Sequence, residues 1–400
     1  MAKSVEDTAF YRFNRLVSLN EVGGDPSQFG ISVEEFHEFN QARSQKFNHA
    51  MNSSSTHDTK RSEDVRARLN VLSEIPRHWK EHVQRWTRWN KSLRTTLSDG
   101  TVTPSRNAEY LLYQTIVGTI PLRIESRYEW DQYIDRLQRY MIKVEREAKV
   151  ETSWVRPDLA YEHALSSFIA NLFAEGHKIE FRNDILDFAR MVARHGTWNS
   201  LSQLVLKMTL PGIPDFYQGT EFGTFTLVDP DNRNAVDWEL RSRCVEAIRS
   251  LDLEAIPTQM DDLLRQFELE QIDLLKCYVS SFGLNFRKQF WQLFQCGDYQ
   301  SVEVAGFKAR GVIAYAREFQ GNVIVVTVGR FSAALHGIEN LAPIGDMWGD
   351  TRILFPKHMG TRSFQNILTG KTTVPHGGIV SVRELFDRLP ISILFAGTGA

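Results

Sequence analysis

Cysteine is scarce in these 400 residues: Cys244, Cys277 and Cys296 are the three present. They are odd in number and none stands in a Cys-x-x-Cys pair, which argues against a disulfide framework and a thiolate zinc site and fits a reducing cytosol. No run approaches the ~18 uninterrupted apolar residues of a membrane span. The opening residues MAKSVEDTAFYRFNRL hold no apolar stretch of signal-peptide length. A cytoplasmic location is therefore expected, and the sequons at Asn52 and Asn90 are then idle. An excess of charge of one sign is missing too. The 47 Lys and Arg face 49 Asp and Glu, a net charge of -2, so no global field draws in nucleic acid or an anionic membrane. Internal repeats and low-complexity tracts are absent. What is present is a chain 42% hydrophobic, 11% aromatic and 24% charged, long enough for a large buried core and two or three domains.

Residues 1–58 read as loops and short elements with little burial, including a turn at NEVGGDPSQFG and a short helix from Ser32 to Asn40. From Ser62 a helix is expected. Ser62 stands at the N-cap, Glu63 and Asp64 lie where the helix dipole favours anions, and Val65, Leu69 and Leu72 share a face. Pro76 stops or restarts it. Three further stripes come after it: Tyr133, Leu137, Tyr140 and Val144; Leu165, Phe168, Ile169 and Leu172; Ile185, Phe188 and Val192. Together they predict a helical module over 59–195. The texture changes at NSLSQLVLKMTLPGIPDFYQGTEFGTFTLVDPDNRNAVDW, where a helix ends at Pro211-Gly212, a strand is expected over Ile213 to Tyr217, and a Gly-punctuated polar loop comes next. Helices around 237–250 and 261–280 precede a strand-rich region from Gly297. There, GVIAYAREFQGNVIVVTVGRF reads as two β runs about a Gln320-Gly321-Asn322 turn.

Several signals carry little chemistry. His78 and His82 share a helical face without an HExxH glutamate or a third ligand, so they read as surface residues. LTGKTT at 368–373 ends like a phosphate loop, but Gln365 stands where its first glycine belongs and the context is β. Trp79, Trp86 and Trp89, interleaved with cations, could stack on bases or sugars; Trp79, Val83 and Trp86 also sit at helical spacing, which gives one packed face and one solvated basic face, the plainer reading. The polar cluster after Pro214 differs. Asp215, Tyr217, Gln218, Glu221, Asp229, Asp231, Asn232 and Arg233 supply carboxylates, amides and an aromatic, a suitable lining for a polyhydroxylated ligand. A capped acidic turn network is the alternative. His57-Asp58, in SSTHDTKRSEDVRARL, is by itself compatible with an ordinary N-cap.

Taken together, MAKSVEDTAFYRFNRLVSLNEVGGDP, SSTHDTKRSEDVRARLNVLSEIP, NAEYLLYQTIVG, EAKVETSW and PGIPDFYQGTEFGTFTLVDPDNRNAVD resemble, in order, successive blocks of the malto-oligosyltrehalose synthase family of the α-amylase superfamily. Ser4 stands where the family usually has Gly, and Asn234-Ala235 replaces the commoner Arg-Pro. The resemblance implies the C-terminal portion of a (β/α)₈ TIM barrel with an inserted helical domain and a C-terminal all-β domain, an α/β plus β fold. The implied divisions are a barrel remainder over 1–58, the helical domain over 59–195, the last barrel strand with its loop and helices over 196–295, and the β domain over 296–400.

The same resemblance makes Asp58 the carboxylate that stabilises the transition state. It makes His57, Lys3, Tyr11, Arg12, Asp215, Tyr217, Gln218 and Glu221 substrate-binding residues, and it implies no metal and no cofactor. Met1 would align with an internal methionine of the family, with the nucleophilic Asp and the acid/base Glu outside this sequence. Retaining transfer needs two carboxyl groups about 5–5.5 Å apart, so the chain alone is expected to be inactive. The implied partners are a malto-oligosaccharide, a missing N-terminal half, and functional pairing with a malto-oligosyltrehalose trehalohydrolase. A maltodextrin hydrolase or transglycosylase of the superfamily, and an inactive carbohydrate-binding piece, are the alternative readings.

Overall fold

A computed structural model describes residues 2–174, 179–228, 231–249, 270–339 and 342–397, with side chains described from residue 5 onward. It is helix-rich, and none of its sheets closes into a barrel among the described residues. The chain divides into two compact units, each assembled from separate stretches. The first comprises Met1–Phe29, His57–Gly196 and Phe225–Arg233; the second comprises Gly30–Thr56, Thr197–Thr224 and Asn234–Ala400.

The first unit is built on the expected stripes. Tyr133, Leu137, Tyr140 and Val144 are buried on the helix Arg127–Ala148, and Leu165, Phe168, Ile169 and Leu172 on Leu159–Leu172. Val65, Leu69 and Leu72 are buried on Glu63–Glu74. Against this last helix runs Arg106–Thr119, where a Cβ on Gly118 would sit 3.0 Å from Val65 Cγ1 and 3.2 Å from Leu69 Cγ. The missing side chain is what lets the two helices approach. Trp79 and Trp86 are buried on Pro76–Trp89, consistent with the packed-face reading.

Two expectations fail here. Residues 1–29 are far from bare: Phe10, Tyr11, Leu16 and Val17 are buried, together with the polar Asn14, Ser18 and Asn20. Asn20 Nδ2 donates to Phe10 O at 2.6 Å and to Phe13 O at 2.8 Å, so amide side chains replace the apolar periodicity by which burial is normally recognised. Nor does the Ser62 hydroxyl cap its own helix. It accepts instead from Thr226 N at 3.1 Å.

The buried carboxyl of Glu145 links two helices of this unit. Tyr161 donates to Glu145 Oε2 at 2.9 Å, yet burial dominates and pushes the carboxyl up to about 7, with Glu151 adding to the rise. The folded state therefore holds this proton more tightly than the unfolded chain does. The associated stability is fully present below about pH 4.5 and is lost as pH rises through about 7, a span worth about 3 kcal/mol at most. Glu145→Gln keeps an acceptor for Tyr161 and removes the charge. Urea unfolding should find the variant more stable than wild type at pH 8 and indistinguishable at pH 4; equal differences at both pH values would refute this.

In the second unit, six antiparallel strands run in the order Thr372–Thr373, Phe364–Asn366, Ile391–Ala396, Asn322–Gly329, Val312–Phe319, Asp298–Ser301. A three-stranded sheet, Ile379–Ser381, Arg352–Leu354 and Glu303–Ala305, accompanies it. Both faces of the central strands are covered. Val312, Ala314 and Ala316 join one core cluster with Trp348 and Ile353, while Ile313 and Tyr315 join another with Leu274 and Tyr278 of the helix Gln271–Gln289. This double burial explains the uninterrupted apolar runs, since alternate residues enter different cores. The expected hairpin is present: Gln320 (φ 49°) and Gly321 (φ 80°) form its two-residue turn, as a right-twisted hairpin requires.

The same unit contains a helix Val33–Lys46, longer than Ser32 to Asn40 suggests, opened by a reciprocal Ser32/Glu35 capping box. The strand expected over Ile213 to Tyr217 shrinks to Ile213–Pro214, paired in parallel with Met51–Asn52. Of the helix expected over 261–280, residues 261–269 lie outside the described residues, and the remainder is part of Gln271–Gln289.

Candidate active site

His57 and Asp58 form a turn in the first unit. His57 Nε2 lies 3.7 Å from Asp58 Oδ2, with side chains 65% and 36% exposed, so both can meet a ligand. The next stretch of chain is buried: Thr59, Lys60, Arg61 and Ser62 are each under a tenth exposed. Their backbone is held from two sides. Glu21 accepts from Lys60 N at 2.7 Å and from Arg61 N at 3.2 Å. On the other side Val228 N donates to Lys60 O and Ser62 N to Thr226 O, and Arg61 bridges Leu227. The amide of Asn232 donates to the His57 carbonyl, and Asp231 anchors that neighbour by accepting from Arg136 Nε at 2.8 Å and Leu227 N at 2.9 Å. Asp231 and Asn232 thus support the His-Asp turn.

The helix Ala2–Arg12 is tied to this turn, because Asp7 Oδ1 lies 2.5 Å from Lys60 Nζ. Lys3 is on that helix, but its side chain lies outside the described residues. Tyr11, expected at the substrate, is 2% exposed. Burial raises its phenol well above the usual range, with Tyr140 next in effect. Its hydroxyl has no hydrogen-bond partner among the described residues. Arg12 donates to Ala148 O at 2.6 Å and Lys149 O at 3.2 Å, closing the C-terminus of Arg127–Ala148, where a cation is favoured. In this unit Tyr11 and Arg12 therefore act as packing and capping groups.

The remaining candidates belong to the second unit. Asp215 continues the parallel pair through its N–H to Asn52 O at 3.0 Å, and its Oδ2 accepts from Ser53 Oγ at 3.2 Å. Lys207 Nζ donates to Ser54 Oγ at 2.9 Å and stands 4.0 Å from the centre of the Phe216 ring. The loop is shaped at its start by Gly212 (φ 127°), where a Cβ would meet Ala50 O at 2.6 Å. Tyr217 is half-buried and Gln218 exposed, and the Tyr217 carbonyl accepts from Thr220 N and Oγ1 at 3.0 and 2.6 Å. Glu221 lies 3.7 Å from Arg241 Nε, and Arg241 Nη2 donates to Gly219 O at 3.0 Å. Asp229 lies outside the described residues. No cluster of His, Cys, Asp and Glu among the described residues could hold a metal ion, and no described helix is long and apolar enough to cross a membrane.

Sequence reasoning missed Glu21, Lys60 and Asn232 as the residues that hold the His-Asp turn. In sequence Asn232 stands out only as a member of an acidic loop; its partner is 175 residues away, and no local pattern signals that.

No family model matches the chain. A curated relative, a putative maltooligosyl trehalose synthase of Mycobacterium tuberculosis, is 32% identical over 98% of this chain and 44% of its own length. The solved structure of maltooligosyltrehalose synthase from Arthrobacter ramosus matches with a TM-score of 0.76 and 32% identity, over 98% of this chain and 45% of that one. A hypothetical maltooligosyl trehalose synthase of Sulfolobus tokodaii matches with a TM-score of 0.71 and 30% identity, over 99% and 45%. The chain spans less than half the length of these relatives. Along that span it is similar to proteins named maltooligosyl trehalose synthase.

Proposed function

We propose that this chain acts as the C-terminal part of a maltooligosyl trehalose synthase, with Met51–Asn52 and Ile213–Pro214 as the last two strands of the barrel. The complete enzyme would convert the reducing-end α-1,4 linkage of a malto-oligosaccharide into an α,α-1,1 linkage, in the cytoplasm, its product then passing to a trehalohydrolase. The single observation that carries this reading is similarity over 98% of the chain to synthases, with a partly exposed Asp58 on a braced turn to stabilise an oxocarbenium-like transition state. His57 would hydrogen-bond the same sugar. The nucleophile and the acid/base group are assigned to the portion outside this chain.

On this reading the glucose released on forming the glycosyl-enzyme stays bound, turns, and attacks through its anomeric hydroxyl while water is excluded. Incubated with maltopentaose, the chain alone should show no turnover. Supplied with the family's remaining portion by fusion or co-expression, it should remove reducing ends without releasing equivalent glucose. Stoichiometric glucose would favour the maltodextrin hydrolase instead. Turnover by the chain alone, abolished by Asp58→Asn, would overturn the assignment of the missing carboxylates.

A further inference from the structure

A cavity of about 480 Å³ lies in the second unit, between the helix Gln271–Gln289 with the adjoining Phe290 and the strands Phe364–Asn366 and Ile391–Ala396. None of its lining residues belongs to the candidate active site. Its volume falls within the ~300–1,000 Å³ of small-molecule sites. The sequence SFGLNFRKQF dictates one wall. Ser281, Asn285 and Gln289 recur every four residues, and so do Phe282, Phe286 and Phe290, so a hydroxyl-and-amide row runs beside a phenyl row. The sheet repeats the arrangement, because Gln365 and Phe395 are cross-strand partners in register. Phe286, Phe290 and Phe395 pack together with ring centroids 4.4 to 5.0 Å apart, while Phe282, Phe290 and Phe395 remain partly exposed to the cavity.

Charge is nearly absent from the described lining. Among the described lining residues Arg249 is the one cation and none is a carboxylate. Asn366 is already committed, donating to Ser392 Oγ at 3.1 Å and accepting from Leu368 N at 3.0 Å. Gln365 makes only a long contact to Gly370 O, at 3.4 Å, and no hydrogen bond engages the Gln289 side chain among the described residues. Each primary amide offers both donors and an acceptor, which suits hydroxyls that must give and receive. A purely apolar occupant would desolvate these amides without replacing their hydrogen bonds, and an anion would find one cation at most. The chemistry matched by alternating phenyl faces and amides is a neutral polyhydroxylated chain with apolar C–H faces.

We propose that this groove is a second, non-catalytic binding site for an α-1,4-glucan. The choice of glucan rests on the malto-oligosaccharide reading above; the groove itself does not. Holding a distant stretch of a long chain would raise the local concentration of its reducing end.

Calorimetric titration of the 400-residue chain with maltoheptaose, with cellohexaose as control, tests this. Wild type should bind maltoheptaose in preference to cellohexaose. Gln289→Ala combined with Gln365→Ala should weaken binding at least about tenfold through two lost hydrogen bonds. Asn285→Trp, an exposed position whose new ring occupies the groove, should do the same, with the thermal midpoint of both variants close to wild type. No maltoheptaose binding by wild type would overturn the proposal, as would unchanged affinity in both variants, or binding lost with Asp58→Asn and kept in the groove variants. An apolar dye held in the groove and not displaced by maltoheptaose would overturn it as well. The synthase reading is judged separately, by the products of the assembled enzyme.

Discussion

An enzyme assembled from Asp58→Asn chain and the family's remaining portion should form product about 10²–10³-fold more slowly than the wild-type assembly, the usual loss when a preorganised charge facing a developing cation is removed. Asn retains the shape and one acceptor but loses the charge. The His57-Asp58 turn takes its position from backbone contacts to Glu21 and the Asn232 amide, and from the 226–228 segment. The substitution should therefore leave the urea midpoint of the chain nearly unchanged. Steady-state product formation at saturating maltopentaose measures the first effect and equilibrium unfolding the second. A large drop in stability with proportionate loss of product would make Asp58 a structural residue.

Asp184→Ala should destabilise the first unit by about 3 kcal/mol, the low end of what removing one partner of a buried ion pair costs, because this side chain keeps some exposure. Its carboxylate accepts from Trp86 Nε1 at 2.6 Å and from Arg85 Nη2 at 2.7 and 3.0 Å, and lies 2.9 Å from His82 Nδ1. Burial alone would raise its pKa, but the hydrogen bonds from Arg85, Trp86 and His82 outweigh burial and hold it below the usual carboxylate range. Deleting it strands an indole N–H on a tryptophan that is 0% exposed and that packs edge-on to Trp79, Tyr113 and Phe188. Asp184→Asn, which can still accept from the indole, should lose about half as much. Urea unfolding followed by tryptophan fluorescence reads both, and a change below about 0.5 kcal/mol for Asp184→Ala would contradict the account.

How far the fold and the site are legible in the sequence depends on how each residue is stabilised. The helices of 59–195 announce themselves because their stripes bury apolar side chains at helical spacing, and the 312–329 hairpin because turn chemistry and β-branched runs agree. Residues 1–29 conceal their packing because the Asn14 and Asn20 amides do by hydrogen bonding what apolar residues do elsewhere. Ser62 is a good N-cap by type, but its hydroxyl goes to Thr226, a non-local choice that no window of sequence contains. The His-Asp turn is legible as a motif through its resemblance to a family. Its bracing by Glu21 and Asn232 is not, since both contacts join distant stretches of chain. The roles expected of Tyr11 and Arg12 come from a block match; in the first unit one is buried and the other caps a helix.

The measurement that bears most directly on the proposed function is a product balance. Wild-type chain, supplied with the family's remaining portion, is incubated with maltopentaose while reducing ends and free glucose are followed together. The synthase reading predicts that reducing ends disappear while glucose stays far below one equivalent. One glucose per linkage consumed, or turnover that persists unchanged when the 400-residue chain is left out, would contradict it.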